Sequence, residues 1–259
     1  MPLYYEQQGS SNNPTLVFLH GFLGDRIDWQ TTIEQLKDSF HCVTIDLPGH
    51  GNSVSTALPL NDGFENCHHL IKVCLDELKL QSFSFIGYSL GGRIALDYAR
   101  SQHDPRLKQL VLESSHIGLT NEEDKIQRYQ SDQLWAERFA TQSIEDSLYD
   151  WYDQGIFDDL NDSDKGFLVE KREHNYGVYL ANTLLAISLG HQHSAEQFLA
   201  RTELPIYYIY GKEDAKFKQL AASLPQRENI KAHGCDGLGH NTHQQQPKKY
   251  SNHIKQILL

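Results

Sequence analysis

Ser89 stands in the stretch Phe83-Ser84-Phe85-Ile86-Gly87-Tyr88-Ser89-Leu90-Gly91-Gly92-Arg93, with a glycine two residues away on either side. A serine hydroxyl is a weak nucleophile and a weak base until an imidazole takes its proton. The imidazole in turn needs a carboxylate to fix its tautomer. Carboxylate candidates, Asp214 and Glu213, follow an apolar run over 204–211. Imidazole candidates, His240 and His243, follow another run over 229–233, and they are two of fourteen histidines. The glycines of Gly237-Leu238-Gly239-His240 leave that loop free to reach the serine, which favours His240 over His243.

The elements that must position these groups can be read around them. The run 83–86 reads as a buried strand and 94–99 as a helix, so Gly87-x-Ser89-x-Gly91 falls in a strand–turn–helix context. So tight a turn strains the serine backbone and leaves no room for side chains at 87 and 91. It presents the hydroxyl at a helix N-terminus, where N–H groups and the dipole favour a developing oxyanion. The run 15–19 is apolar throughout, as in a strand covered on both faces, and ends in His20-Gly21-Phe22-Leu23-Gly24. A short amphipathic helix is predicted over 28–38, a strand over 42–45, and a turn over Asp46-Leu47-Pro48-Gly49-His50-Gly51. His20 and His50 read as loop-ordering residues. Apolar residues at 67, 70, 71, 74, 75 and 78 give 64–80 a helical period, and 107–112 is a further strand. Strands alternating with helices predict an α/β fold with a doubly wound, mostly parallel sheet.

Residues 117–200 differ in character. They carry sixteen acidic and six basic residues, so ten of the eleven net negative charges lie there. Apolar positions recur at helical spacing, as at Trp135 and Phe139 or Leu180 and Leu184, without a β-rich run. The expectation is an all-helical lid at 117–200, inserted after a sixth strand, over a core made of 1–116 and 201–259. Such a lid would cover the crevice where open α/β sheets bind ligands. The core resumes with the strands over 204–211 and 229–233, and 247–259 closes it as a helix.

Composition removes several function classes. At 259 residues, 39% hydrophobic and 22% charged, the chain is an ordinary globular protein with room for a sizeable core. A net charge of −11 without a basic stripe argues against nucleic acid as a partner. No apolar run approaches the roughly 20 residues of a membrane span. The N-terminal residues lack the basic and apolar regions of a secretion signal. Cys42, Cys67, Cys74 and Cys235 show no metal-binding spacing and read as reduced thiols, which points to a cytoplasmic protein.

The His20-Gly21 loop, Asp46-x-Pro48-Gly49-His50-Gly51, the Ser89 turn, Gly211-x-x-Asp214 and Gly239-His240 together resemble the α/β-hydrolase superfamily. That resemblance implies the chain order serine, acid, histidine, which Ser89, Asp214 and His240 satisfy. It also implies an oxyanion hole from the N–H groups of Phe22 and Leu90. More narrowly, Gly87-Tyr88-Ser89-Leu90-Gly91-Gly92-Arg93, Ser131-Asp132-x-x-Trp135-Ala136-x-Arg138-Phe139, Asp150-Trp151-Tyr152 and Gly239-His240-Asn241 resemble the MenH-type family. Its members are 2-succinyl-6-hydroxy-2,4-cyclohexadiene-1-carboxylate synthases of menaquinone biosynthesis. The match runs nearly end to end and includes the lid. One departure is the lid turn Lys125-x-x-Arg128-Tyr129-Gln130, which has fewer basic residues.

That family implies a lyase that eliminates pyruvate from a small polycarboxylate, with no metal or organic cofactor. Independently, Arg93 lies four residues after Ser89 and would project one helical turn along the same face, where a guanidinium suits a carboxylate. The resemblance places Arg128 and Arg172 among the carboxylate-binding arginines. The residues alone also allow ordinary ion pairs, with Asp124 or Glu122 for Arg128 and Glu173 for Arg172. Tyr88, Trp151, Tyr152 and Phe157 are expected to line the pocket. An acidic lid repels such a substrate, so local arginines must prevail over a field that salt screens within about 10 Å. A carboxylesterase or a C–C bond hydrolase using the same three residues is the competing expectation.

Overall fold

The computed structural model describes residues 2–259. Among them, seven strands form one sheet: β1 (Tyr5–Gln8), β2 (Thr15–Leu19), β3 (His41–Ile45), β4 (Phe83–Tyr88), β5 (Leu107–Glu113), β6 (Ile206–Gly211) and β7 (Ile230–Cys235). Their order is β1-β3-β2-β4-β5-β6-β7, with β1 antiparallel to β3 and every other pair parallel. The chain therefore lays β3 on one side of β2 and returns to place β4 on the other. The crevice outside the carboxyl ends of β2 and β4 is the topological switch point where such sheets bind ligands.

The apolar runs are continuous because both faces of the sheet are covered. Val17 and Leu19 pack into a core shared with α2 (Gly63–Glu77) and α3 (Leu90–Gln102). Leu16 and Phe18 point the other way, against α1 (Gln30–Leu36) and the C-terminal helix over 247–258. The helix expected over 28–38 is shorter, since residues 26–29 tighten into a 3-10 turn before α1 begins.

Five helices fill the space between β5 and β6: α4 (Glu122–Thr141), α5 (Ile144–Tyr152), α6 (Asp162–Arg172), α7 (Gly177–Ala186) and α8 (Glu196–Arg201). The insertion follows the fifth strand rather than a sixth, because only one strand, the polar edge strand β1, precedes β2. The insertion has its own core around Phe139, Leu148, Leu180 and Leu184, which takes in Leu23 of the loop after β2. Its stem is closed where Ala195 N–H donates to Ile117 O at 2.7 Å. Its acidity has a local cause. Asn121, Ser143 and Asn161 cap α4, α5 and α6, and seven of the sixteen acids occupy the first turns of those helices, where the dipole stabilises them.

After β6 come α9 (Ala215–Ser223), then β7, α10 (Thr242–Gln245) and α11 (Pro247–Leu258). Among the described residues, no helix is long and apolar enough to cross a membrane.

Burial keeps three histidines neutral, drawing His50 to about 3, His68 to about 4 and His116 to about 3. Unfolded, each would take up a proton near pH 6.5. Their folded values are depressed, so the stability they contribute is complete above about pH 6.5 and is lost as pH falls toward 4. The expected slope is up to about 4 kcal/mol per pH unit in that window. Urea midpoints at about pH 7 and about pH 5 check this, and equal midpoints would refute it.

Candidate active site

Ser89 follows β4 in a strained, positive-φ conformation, φ 47° and ψ −106°, as the N-cap of α3. The glycines around it relieve real crowding: a Cβ on Gly87 would lie 2.6 Å from Gly91 O and from Gly92 N. Leu90 N–H belongs to the first turn of α3 and has no acceptor within the helix. Phe22 lies across the crevice in the loop after β2, and two buried histidines shape that loop. His20 Nε2 accepts from Leu47 N–H at 2.9 Å, and His50 Nε2 accepts from Leu23 N–H at 3.2 Å. Both rings are engaged with backbone, as their loop-ordering reading expects.

The structure brings Ser89, His240 and Asp214 together. His240 Nε2 is 3.4 Å from Ser89 Oγ, and His240 Nδ1 is 2.7 Å from Asp214 Oδ2. Asp214 is doubly engaged, because its Oδ1 accepts from Phe217 N–H at 3.1 Å and so caps α9. Glu213, the other carboxylate candidate, is exposed. His243 points away from Ser89: its Nδ1 meets Glu113 Oε2 at 2.8 Å and its ring stacks on Trp29.

Two cavities flank this trio. One, of about 190 Å³, is lined by Ser89, Leu90, Phe22, Arg93, Arg128, Trp151 and His240. The other, of about 330 Å³, is lined by Tyr88, Trp151, Tyr152, Phe157, Arg172 and His240. Phe22, Trp151 and His240 belong to both and form the wall between them.

The three arginines differ in their partners. Arg93 is buried, and its guanidinium donates to Ile187 O at 3.0 Å and to Gln192 Oε1 at 3.4 Å. Among the described residues it has no acidic partner, and burial, with Arg128 nearby, draws its pKa down to about 9. Arg128 pairs with Asp132 at 2.9 Å, not with Asp124 or Glu122. Asp132 lies one helical turn on, toward the cavity. Arg172 pairs with Asp28 at 2.6 Å, not with its neighbour Glu173. Lys171 joins the same carboxylate at 2.8 Å. Burial raises the Asp28 pKa, but the two cations beside it hold it well below the usual carboxylate range.

Among the lining residues that sequence reasoning missed, two are basic. Lys216, in the first turn of α9, faces the smaller cavity, and burial together with Arg128 lowers its pKa. The available signal was its position, since a helix dipole disfavours a cation in the first turn. His116, also on that cavity, gave no signal in the sequence. Among the described residues, no group of three or more His, Cys, Asp or Glu side chains is placed to hold a metal ion.

A strained serine between strand and helix, a histidine and a carboxylate in reach, and a helical insertion over the switch point define a class. The chain belongs to the alpha/beta hydrolase fold family, whose sequence profile matches residues 14–235, and within it to the 2-succinyl-6-hydroxy-2,4-cyclohexadiene-1-carboxylate synthases. It is 37% identical over 252 residues to the synthase of that name from Escherichia coli O157:H7, covering 97% of this chain and 96% of that protein. The figures are the same for the Shigella sonnei (strain Ss046) synthase. The solved structure of MenH from S. aureus superposes with a TM-score of 0.86 at 27% identity, covering 98% of this chain and 97% of that one. The enol-lactonase from Burkholderia xenovorans LB400 shares the fold, with a TM-score of 0.77 at 17% identity, covering 99% and 96%.

Proposed function

We propose that the protein is a carbon–oxygen lyase of menaquinone biosynthesis. It eliminates pyruvate from 2-succinyl-5-enolpyruvyl-6-hydroxy-3-cyclohexene-1-carboxylate to give 2-succinyl-6-hydroxy-2,4-cyclohexadiene-1-carboxylate. The observation that carries this reading is Arg93, a buried cation without an acidic partner on the same cavity as Ser89. A guanidinium desolvated in advance is an arrangement for an anionic ligand, and a neutral ester gives it nothing to bind.

In this reading Ser89 Oγ removes the ring proton alpha to the succinyl ketone while its own hydroxyl proton passes to His240 Nε2. Asp214 holds the imidazole in the right tautomer and stabilises the imidazolium. Phe22 N–H and Leu90 N–H stabilise the enolate. As the enolate collapses across the ring, the C–O bond to the enolpyruvyl group breaks, its electron pair leaves with oxygen, and the proton held by His240 passes to the departing enolpyruvate, which tautomerises to pyruvate. Ser89 forms no bond to carbon. Arg93, Arg128, Arg172 and Lys216 supply positive charge for the carboxylates, and Tyr88, Trp151, Tyr152 and Phe157 pack the apolar parts.

The insertion over 117–200 acts as the lid of a core made of 1–116 and 201–259. The setting is cytoplasmic, a reading supported by four free, buried cysteines and by relatives that are biosynthetic enzymes.

The test is pyruvate release from the enolpyruvyl substrate, run beside hydrolysis of a short-chain nitrophenyl ester, with intact-mass analysis of enzyme quenched during turnover. Pyruvate release from an unmodified chain is expected. A substrate-derived adduct on Ser89, formed and cleared at the turnover rate, would replace the lyase with a hydrolase.

A further inference from the structure

We propose that Glu113 is a positioning residue that ties the nucleophile turn to the histidine loop, with His243 as its working partner. This rests on the reading of His240 as the proton acceptor.

Glu113 is the last residue of β5, opposite Tyr88 in the register with β4, and it is fully buried. Its backbone carbonyl accepts from Ser89 N–H at 2.8 Å and so holds the strained serine from below. Its carboxylate faces the loop that carries His240. Oε1 accepts from Thr242 Oγ at 2.7 Å and from His243 N–H at 3.0 Å, and Oε2 accepts from His243 Nδ1 at 2.8 Å. One residue thus fixes both halves of the Ser89–His240 contact, through its main chain on one side and its side chain on the other.

Burial pushes the Glu113 pKa up, but His243 and the hydrogen bonds hold it below the usual carboxylate range, so the side chain stays an anion. The other titratable groups facing it are Tyr88, Tyr250 and Cys235. His243 is itself locked: it stacks on Trp29 with ring centroids 3.9 Å apart and meets the Tyr88 ring at 5.1 Å. The same Tyr88 ring lies 5.4 Å from His240. Just before His240 the loop is held separately, by Gly239 N–H donating to Gln245 Oε1 at 2.9 Å.

A fully buried carboxylate–imidazole pair is a poor way to stabilise a core, since apolar residues of equal volume pack at least as well. It does, however, fix geometry. Reacting groups tolerate little misplacement, and an error of about 1 Å can lower rates about a hundredfold.

The experiment measures Glu113→Gln and Thr242→Val for pyruvate release, beside the low-field proton resonance of the His240 Nδ1–H bound to Asp214. Glu113→Gln keeps the shape but removes the charge and sets an amide donor against His243 Nδ1–H. Expected is a kcat lower by about 10- to 100-fold, KM within about twofold, and a displaced or broadened His240 resonance. Thr242→Val removes one of the three bonds and should act in the same direction by a smaller factor. Wild-type kcat with an unmoved His240 resonance in Glu113→Gln overturns the proposal, however far Tm falls. If Glu113→Gln does not fold, an unchanged kcat in Thr242→Val overturns it instead. The resonance needs no substrate, so a wild type that releases no pyruvate counts against the lyase reading, while a displaced resonance still supports the positioning role.

Discussion

Ser89→Ala, Asp214→Asn and His240→Ala should each lower kcat by about three orders of magnitude or more, with native circular dichroism, because the members of such a set act as a unit. Asp214→Asn is the most informative of the three. Asparagine still accepts from Phe217 N–H and caps α9 about as well as aspartate does, so helix stability is preserved. The amide nitrogen would face His240 Nδ1, where wild type has a carboxylate 2.7 Å away, and the imidazole would be driven into the wrong tautomer. Asp214→Ala removes both functions and should lose about 1 kcal/mol of stability as well. His243→Ala should lower kcat far less than His240→Ala, since its ring engages Glu113 and Trp29 rather than Ser89. A dead His243→Ala beside an active His240→Ala would reverse the assignment of the base.

Arg93→Ala should slow turnover of the tricarboxylate substrate at least about tenfold, the loss of one charge-assisted pair of roughly 1.5–3 kcal/mol. Turnover of a neutral nitrophenyl ester should fall much less. Equal losses on the two substrates would make Arg93 a structural brace for Ile187 and Gln192. Stability supplies a second readout. A buried guanidinium whose hydrogen bonds go only to neutral acceptors is incompletely compensated for its desolvation, so Arg93→Met, which keeps the volume and drops the charge, should hold or raise Tm. A clear fall in Tm in that variant would mean the guanidinium stabilises the fold in its own right.

What could be read from the sequence, and what could not, divides along a physical line. The strand–turn–helix around Ser89 was legible because its signals are local: an apolar run, two glycines and a helical period within about a dozen residues. The edge strand β1 was not, since Tyr5-Glu6-Gln7-Gln8 pairs on one side only and has no apolar run to mark it. The arginine partners failed for a different reason. Neighbouring acids were the natural guess for Arg172, but Asp28 lies 144 positions away, in the turn over 26–29, and the two meet only through tertiary folding. Arg128 did pair within its own helix, with the acid one turn toward the cavity rather than with those in the exposed first turn. Glu113 gave no signal at all. It looks like the polar end of an ordinary strand, and its value comes from groups that tertiary folding brings to it.

The stem at Ile117 and Ala195 has a consequence for how such proteins diversify. The insertion leaves from the end of β5 and re-enters at β6, two strands that are already hydrogen-bonded neighbours, and it is latched at its mouth by one main-chain bond. The sheet therefore keeps no record of what is mounted there. A different helical cassette on the same two posts leaves the strand register as it was, while the elbow helix and the histidine loop exchange only a few side-chain contacts with the present one, Arg93 to Ile187 O and Gln245 to Asp159. Ancestry can then hand down the proton-moving parts intact while recombination or drift rewrites the chamber above them, so in this architecture a change of diet need not be a change of chemistry.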